Sequence, residues 1–285
     1  MRFAKGHGTG NDFLILPDPD DETAIPADLV ARLCDRRTGL GADGVLRAVR
    51  LPAGGPAEWF MDYRNADGSI AEMCGNGIRV FARYLLGHGL AGGPEIAVAT
   101  RAGLRQVREE PSGEVTVDMG APVVLGRSCA VIGGRSHEGL EVSLGNPHLA
   151  CVVDEPLAGL DLSVPPVIDH ERFPGGANVE VVRVRGAACL EMRVHERGSG
   201  TTLSCGTGAV AAAVAARAAA PARATASTWA VRVPGGRLVV TLGERTSLLT
   251  GPAVIVAEGD VDEAWLSGRA GLTRPPLGRP REQAR

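Results

Sequence analysis

Two stretches decide how this chain is read: EMCGNG at residues 72–77 and LSCGTG at 203–208. Both contain Cys-Gly-x-Gly, 131 positions apart, and each runs into a helical pattern. From Asn76 to His88, Ile78, Phe81, Ala82, Leu85 and Leu86 recur at helical spacing; from Thr207 to Ala219, alanines surround Val210 and Val214. Neither helix has a strongly polar face, so both are expected to be buried. Self-similarity at nearly half the chain length implies two lobes of one design, Cys74 opening one helix and Cys205 the other.

Around these helices the chain reads as short strands with β-branched or aromatic content. They fall at 13–16, 44–49, 58–63, 95–100 and 114–119, then at 141–144, 148–153, 179–185, 189–194, 229–233, 237–242 and 252–257. Segments 111–113, 185–186 and 234–236 supply turns between neighbours. A shorter helix is expected from Pro26 to Cys34, with Leu29, Val30 and Leu33 on one face. The expected division places an N-terminal lobe with Cys74 at 1–119 and a C-terminal lobe with Cys205 at 120–249. A strand at about 250–262 is a candidate to return to the first lobe. Residues 267–285, with five arginines and three prolines, read as a disordered tail.

At 285 residues the chain can bury a sizeable core, and a formal charge of −3 gives no pull toward nucleic acid or anionic membrane. The N-terminal segment lacks the apolar run of a signal peptide, and no stretch has the sustained large apolar side chains of a membrane span. A cytoplasmic, reducing location is therefore expected. The six cysteines, at 34, 74, 129, 151, 189 and 205, include no CxxC pair, so neither a disulfide framework nor a metal site is expected. Lys5 is the only lysine, in a glycine-rich segment, which makes cofactor-free chemistry a better reading than a pyridoxal-phosphate Schiff base.

A cysteine just before a helix faces free backbone N–H groups and the positive end of the dipole, which favour thiolate and are expected to lower its pKa. The flanking glycines let a ligand approach those donors, which suit a carboxylate. If the lobes face each other, a carboxylate held between the two helix ends would have a thiol on either side of its α-carbon. One thiolate would remove the α-proton, and the opposite thiol would return one to the other face, inverting the centre. Donors on the carboxylate would carry the developing charge.

Seven blocks in order, KGHGTGNDF (5–13), GLGADGVL (39–46), NADGSIAEMCGNGIRVFARY (65–84), GNPH (145–148), NVE (178–180), ERGSG (196–200) and SCGTG (204–208), give a chain that resembles the diaminopimelate epimerases over nearly its whole length. The resemblance implies an α+β fold, the α/β roll: two pseudo-symmetric lobes, each a curved, mostly antiparallel sheet around a central helix. It also implies a cleft site without cofactor or metal and, by default, a homodimer. It assigns Cys74 and Cys205 as the two bases, with His148 and Glu196 tuning the thiols. Gly75-Asn76 and Gly206-Thr207 would grip the reacting carboxylate. Asn11, Asn65, Asn146, Asn178, Glu196 and Arg197 would contact the substrate, diaminopimelate, with Arg197 suited to pair with its distal carboxylate.

Departures from the family pattern bear on substrate and assembly. Thr201 stands where glutamate is usual, Gly44 where some members have a substrate-side glutamine, and Ala257 where a tyrosine in some members supports dimerisation. Cys34, Cys129, Cys151 and Cys189 are expected to be inert packing residues. Read without the blocks, Asn65 is only a turn residue and Glu196-Arg197 only a solvated ion pair. Two other functions compete: the same two-base chemistry on another amino acid, and thiol–disulfide exchange between Cys74 and Cys205.

Overall fold

The computed structural model describes residues 1–219 and 227–268. Beyond Gly268, the tail expected at 267–285 lies outside the described residues. Four α-helices are described: α1 (Ala27–Cys34), α2 (Gly75–Gly87), α3 (Gly206–Ala219) and α4 (Glu263–Leu266). Eighteen strands join into one continuous sheet.

The duplication seen in the sequence is a duplication of connectivity. Strand Asn11–Pro17 pairs parallel with Gly44–Arg50, which pairs antiparallel with Trp59–Asn65. The chain then crosses through α2 to Glu95–Thr100, a parallel neighbour of Trp59–Asn65. The second half repeats the pattern: Pro147–Val152 pairs parallel with Asn178–Gly186, which pairs antiparallel with Cys189–Glu196. There α3 makes the crossing, to the parallel strand Thr228–Val233. Each helix thus lies in the curve of its own mostly antiparallel strands, giving the two pseudo-symmetric lobes of an α+β roll. Two contacts knit the halves. Ser247–Gly251 pairs with Gly236–Leu242 on one side and Val115–Gly120 on the other, and Val254–Asp260 returns to pair with Arg2–Gly8.

Both central helices are buried, as their sequences imply. Every residue of α3 from Gly206 to Ala216 is buried, and α2 exposes almost nothing from Gly75 to Leu85. The alanines of α3 follow from this enclosure, because strands on several sides leave room for methyl groups rather than for leucine. Side chains from both helices belong to a single apolar cluster with Phe13, Met61, Val117, Met192, Trp229 and Leu249.

Several strands were not legible beforehand. Arg2–Gly8 is interrupted by Lys5, His7 and two glycines, Gly103–Glu109 buries only Val107, and Val123–Ile132 buries only Ala130 and Ile132. Their pairing is supplied by neighbours rather than by an apolar face of their own. Cys129, expected as a packing residue, is exposed, because it alternates outward between Ser128 and buried Ala130. No helix among the described residues is long and apolar enough to cross a membrane.

One buried charge cluster anchors the segment that delivers Cys74. The Asp62 carboxylate accepts from Arg47, Arg64 and Arg101, and Arg101 also holds the carbonyls of Tyr63 and Ala71. Burial raises the Asp62 pKa, but the Arg64 and Arg101 guanidiniums outweigh it and hold the carboxyl below its usual range. A depressed carboxylate contributes stability that is complete above about pH 4 and vanishes as the pH falls through the lower folded value. Asp62→Asn is therefore expected to cost about 3–5 kcal/mol at neutral pH, and to remove the matching fall in stability below about pH 4, as read by urea unfolding at a series of pH values. Ala211→Leu, overpacking a fully buried position of α3, is expected to cost about 1–3 kcal/mol in the same measurement.

Candidate active site

The two thiols occupy equivalent places. Cys74 caps α2, its Sγ accepting the Gly77 N–H at 3.4 Å, and Cys205 accepts the Gly208 N–H at 3.4 Å at the start of α3. The helix starts meet head to head. A Cβ built on Gly206 would lie 3.0 Å from the Gly75 Cα and 3.2 Å from the Asn76 nitrogen, so only glycine fits this contact. The N–H groups of both first turns converge there, an arrangement suited to cradling an anion.

A polar chain ties the halves together beneath it. Asn76 donates from Nδ2 to Asn11 Oδ1 (3.1 Å) and to the Ser204 carbonyl (3.0 Å). Asn11 Oδ1 also lies 3.7 Å from Cys74 Sγ, and Asn11 donates to Asp43. Thr9 donates to Ser204 Oγ at 2.7 Å. Thr9 holds φ at 51°, rare for a β-branched residue, and its carbonyl fills the place a Cβ on Gly235 would take, at 1.7 Å. The hairpin tip of the first half is thereby locked against the segment that delivers Cys205.

Around Cys205 the arrangement differs. His148, fully buried, sets Nδ1 2.7 Å from Glu180 Oε1 and Nε2 3.1 Å from Asn146 Oδ1, while Asn146 Nδ2 donates to Thr207 Oγ1 at 3.3 Å. Glu196 accepts from the Thr202 hydroxyl at 2.5 Å. Burial raises the Glu196 pKa, against hydrogen bonds from Thr202 and the Cys205 thiol.

The thiol pKa values run opposite to the expectation of helix-lowered thiols. Burial pushes Cys74 up to about 11 and outweighs the Gly77 and Asn76 N–H groups, with Glu196 adding to the rise. Burial raises Cys205 well above its usual value, and the Glu196 and Glu180 carboxylates add to the rise. Helix donors are present as predicted, but desolvation dominates them in this setting. Cys34 and Cys151 are pushed up to about 12 by burial, in keeping with inert packing roles.

The structure gathers most of the predicted residues. Asn11, Cys74, Gly75 and Asn76 form one contact group, and Asn146, His148, Glu196, Cys205, Gly206 and Thr207 form the facing one. Asn178 is buried and accepts the Arg197 N–H at 2.9 Å. Arg197 itself is exposed, its Nη1 reaching the Gly175 carbonyl at 3.4 Å. Asn65 turns back to Ser69 at 2.9 Å, closing the loop before Cys74. No described contact links either side chain to a thiol.

Two residues near the thiols carried no expectation. Glu180 stands within the matched NVE block, yet its partner His148 is 32 positions away, on the neighbouring parallel strand. Tyr63 lies among the charges of Cys74, Glu196 and Cys205; burial raises its pKa well above the usual value, and those neighbours add to the rise. Its ring packs edge-on against Phe13 at 6.0 Å and sits 2.8 Å from where a Cβ on Gly44 would be. The Arg64 carbonyl, 2.6 Å from the same point, and that ring together leave room only for glycine at 44. Cavity volume alone would misplace the site. A hollow of about 570 Å³ lies beside Ala215, Ala219 and Trp229, at the far end of α3 from Cys205.

Comparison with known proteins agrees with this geometry. The family model described as diaminopimelate epimerase matches residues 3–125 and 141–256. A diaminopimelate epimerase from Thermobifida fusca is 58% identical over 272 residues, covering 92% of this chain and 98% of that protein. One from Mycobacterium ulcerans is 51% identical over 286 residues, covering 93% and 98%. Among solved structures, a PhzF-family phenazine biosynthesis protein from Bacillus anthracis superposes with TM-score 0.70 at 17% identity, covering 92% of this chain and 98% of that one. A probable proline racemase from Agrobacterium radiobacter gives 0.62 at 18%, covering 92% and 93%. At such identities the structures attest the fold alone, whereas the matched length and the sequence relatives place this chain in the diaminopimelate epimerase family.

Proposed function

We propose that this chain interconverts LL- and meso-diaminopimelate by direct proton exchange between Cys74, Cys205 and one α-carbon, without a cofactor. The observation that carries the reading is the head-to-head meeting of α2 and α3 at Gly75 and Gly206, each helix capped by its own thiol. A carboxylate seated on the N–H groups of Gly75-Asn76 and Gly206-Thr207 would hold its α-carbon between the two sulfurs. The thiolate removes the proton from one face, the opposing thiol delivers one to the other, and charge arriving on the carboxylate is met by donors already in place.

The pair works while holding one proton between the two sulfurs. Glu196 and Glu180 beside Cys205 favour the proton there, which makes Cys74 the easier of the two to ionise and so the candidate first base. His148 orients and balances that carboxylate group through Glu180. Asn11, Asn65, Asn146, Asn178 and Arg197 are the candidates for the rest of the substrate, Arg197 for its distal carboxylate. Lys5 lies 3.2 Å from Asp12, an ion pair that supports a structural role for the single lysine.

The lobe division 1–119 against 120–249, with the 250–262 segment returning to the first, fits this use of two opposed helix ends. The partner is a second copy of the chain. Among the described residues, Val254–Asp260 pairs as a strand with Arg2–Gly8 alone and presents exposed Val254, Val256 and Ala257, an apolar edge of the kind that pairing covers. The site of action is the cytoplasm, where the thiols stay reduced.

With reductant present, LL-diaminopimelate in deuterium oxide is expected to take up deuterium at one α-carbon as the meso form appears. Cys74→Ala and Cys205→Ala should each slow turnover by at least about a thousandfold. Undiminished exchange in both single variants would overturn the two-base reading.

A further inference from the structure

Arg79, one turn into α2, is fully buried and meets no carboxylate among the described residues. Its Nη1 donates to the Gly75 carbonyl and its Nη2 to Asn76 Oδ1, both at 2.9 Å, while Nε has no partner. The space it occupies is made by glycines of two other strands. A Cβ on Gly8 would lie 3.0 Å from Nη2, and one on Gly251 3.5 Å from both Nε and Nη2. Gly8 has no positive φ, so its backbone conformation does not call for glycine; room for the guanidinium does, whereas at Gly251 Leu238 Cδ2, 2.5 Å from the absent Cβ, is the tighter neighbour.

A buried cation without a counter-charge is costly and persists only where something else balances it. Burial lowers the Arg79 pKa, but only to about 10, which leaves the group charged at neutral pH. The charged and titratable groups around it are few: Cys74 on its own helix and Glu114 just before strand Val115–Gly120. Those facing Cys74 are Glu196 from Cys189–Glu196 and Tyr63 from Trp59–Asn65, besides Arg79. Arg79 is thus the positive side chain among them, bonded to the two residues whose N–H groups line the cradle.

We infer that Arg79 is a positioning residue of the epimerase site, supplying the buried positive charge that balances the Cys74 thiolate and the substrate carboxylate above it. Its two hydrogen bonds to Gly75 and Asn76 fix that charge at the lobe junction. This inference rests on the two-thiol reading, and the test separates them by following Cys74 without substrate.

Three proteins would be compared: wild type, Arg79→Met and Arg79→Lys. The pH dependence of Cys74 alkylation by iodoacetamide would be followed by peptide mapping, alongside kcat and KM. Arg79→Met is expected to move the Cys74 midpoint upward by about one pH unit or more and to lower kcat/KM by about a hundredfold, while Arg79→Lys keeps the midpoint near wild type and recovers at least about tenfold of the loss. A folded Arg79→Met protein with an unmoved Cys74 midpoint would overturn the inference. Should that variant not fold, Arg79→Lys decides alone: a Cys74 midpoint near wild type supports a role in charge, and a large upward shift despite the retained charge refutes it. Failure of the epimerase reading would show instead in the wild-type protein, as no exchange of the α-proton, whatever the Cys74 midpoints of the variants.

Discussion

The contact between Gly75 and Gly206 governs this molecule. Two helix starts, each the positive end of its dipole, are pressed together where their Cα atoms leave no room for a side chain. Like ends in contact repel, whereas each such end favours a nearby anion by about 0.3–1 kcal/mol at a surface and up to about 2 kcal/mol when partly buried. An anion at the junction turns that repulsion into attraction. The same feature that would destabilise an ordinary pair of helices gives the cradle its preference for a carboxylate, and the surrounding sheets hold the helices in place whether or not it is filled.

Symmetry in the backbone is joined to asymmetry in charge. Both thiols accept an N–H from the third residue beyond them, at the same distance. Behind Cys74 lies a cation on its own helix, whereas behind Cys205 lie two glutamates and a histidine from neighbouring strands. Equivalent sulfurs therefore hold their protons with unequal strength, which suits the two-base exchange proposed for them. Duplicated topology supplies the opposed faces, and divergence of the flanking side chains assigns the roles.

Much of this was legible in the sequence, and the parts that were not share a cause. Cys74, Cys205 and the helix starts could be read because local spacing determines them. The enclosure of α3 could be read from its alanines. The direction of the thiol pKa shift could not, because desolvation depends on what packs above the helix ends rather than on the residues within them. Glu180 was hidden because its partner sits on another strand, and Arg79 because a lone arginine in a helix ordinarily reaches solvent. Gly8 carried the missing signal for Arg79, but it becomes visible only once its strand is seen to wall the side chain. Asn65, by contrast, does in this structure what its NADG turn suggests.

The pairing of Arg2–Gly8 with Val254–Asp260 has a consequence for synthesis of the chain. Of these two strands Arg2–Gly8 is made first, and it finds this neighbour only after some 250 further residues, with Ser247–Gly251, which stitches the halves, just before. Most lobe contacts are nearer in sequence, so the first half can collapse around α2 early. Its sheet nevertheless keeps an unsatisfied edge until Val254–Asp260 has been made. A growing chain thus carries an open strand edge for as long as Val254–Asp260 is lacking, and that edge is where wrong pairing is easiest in the interval.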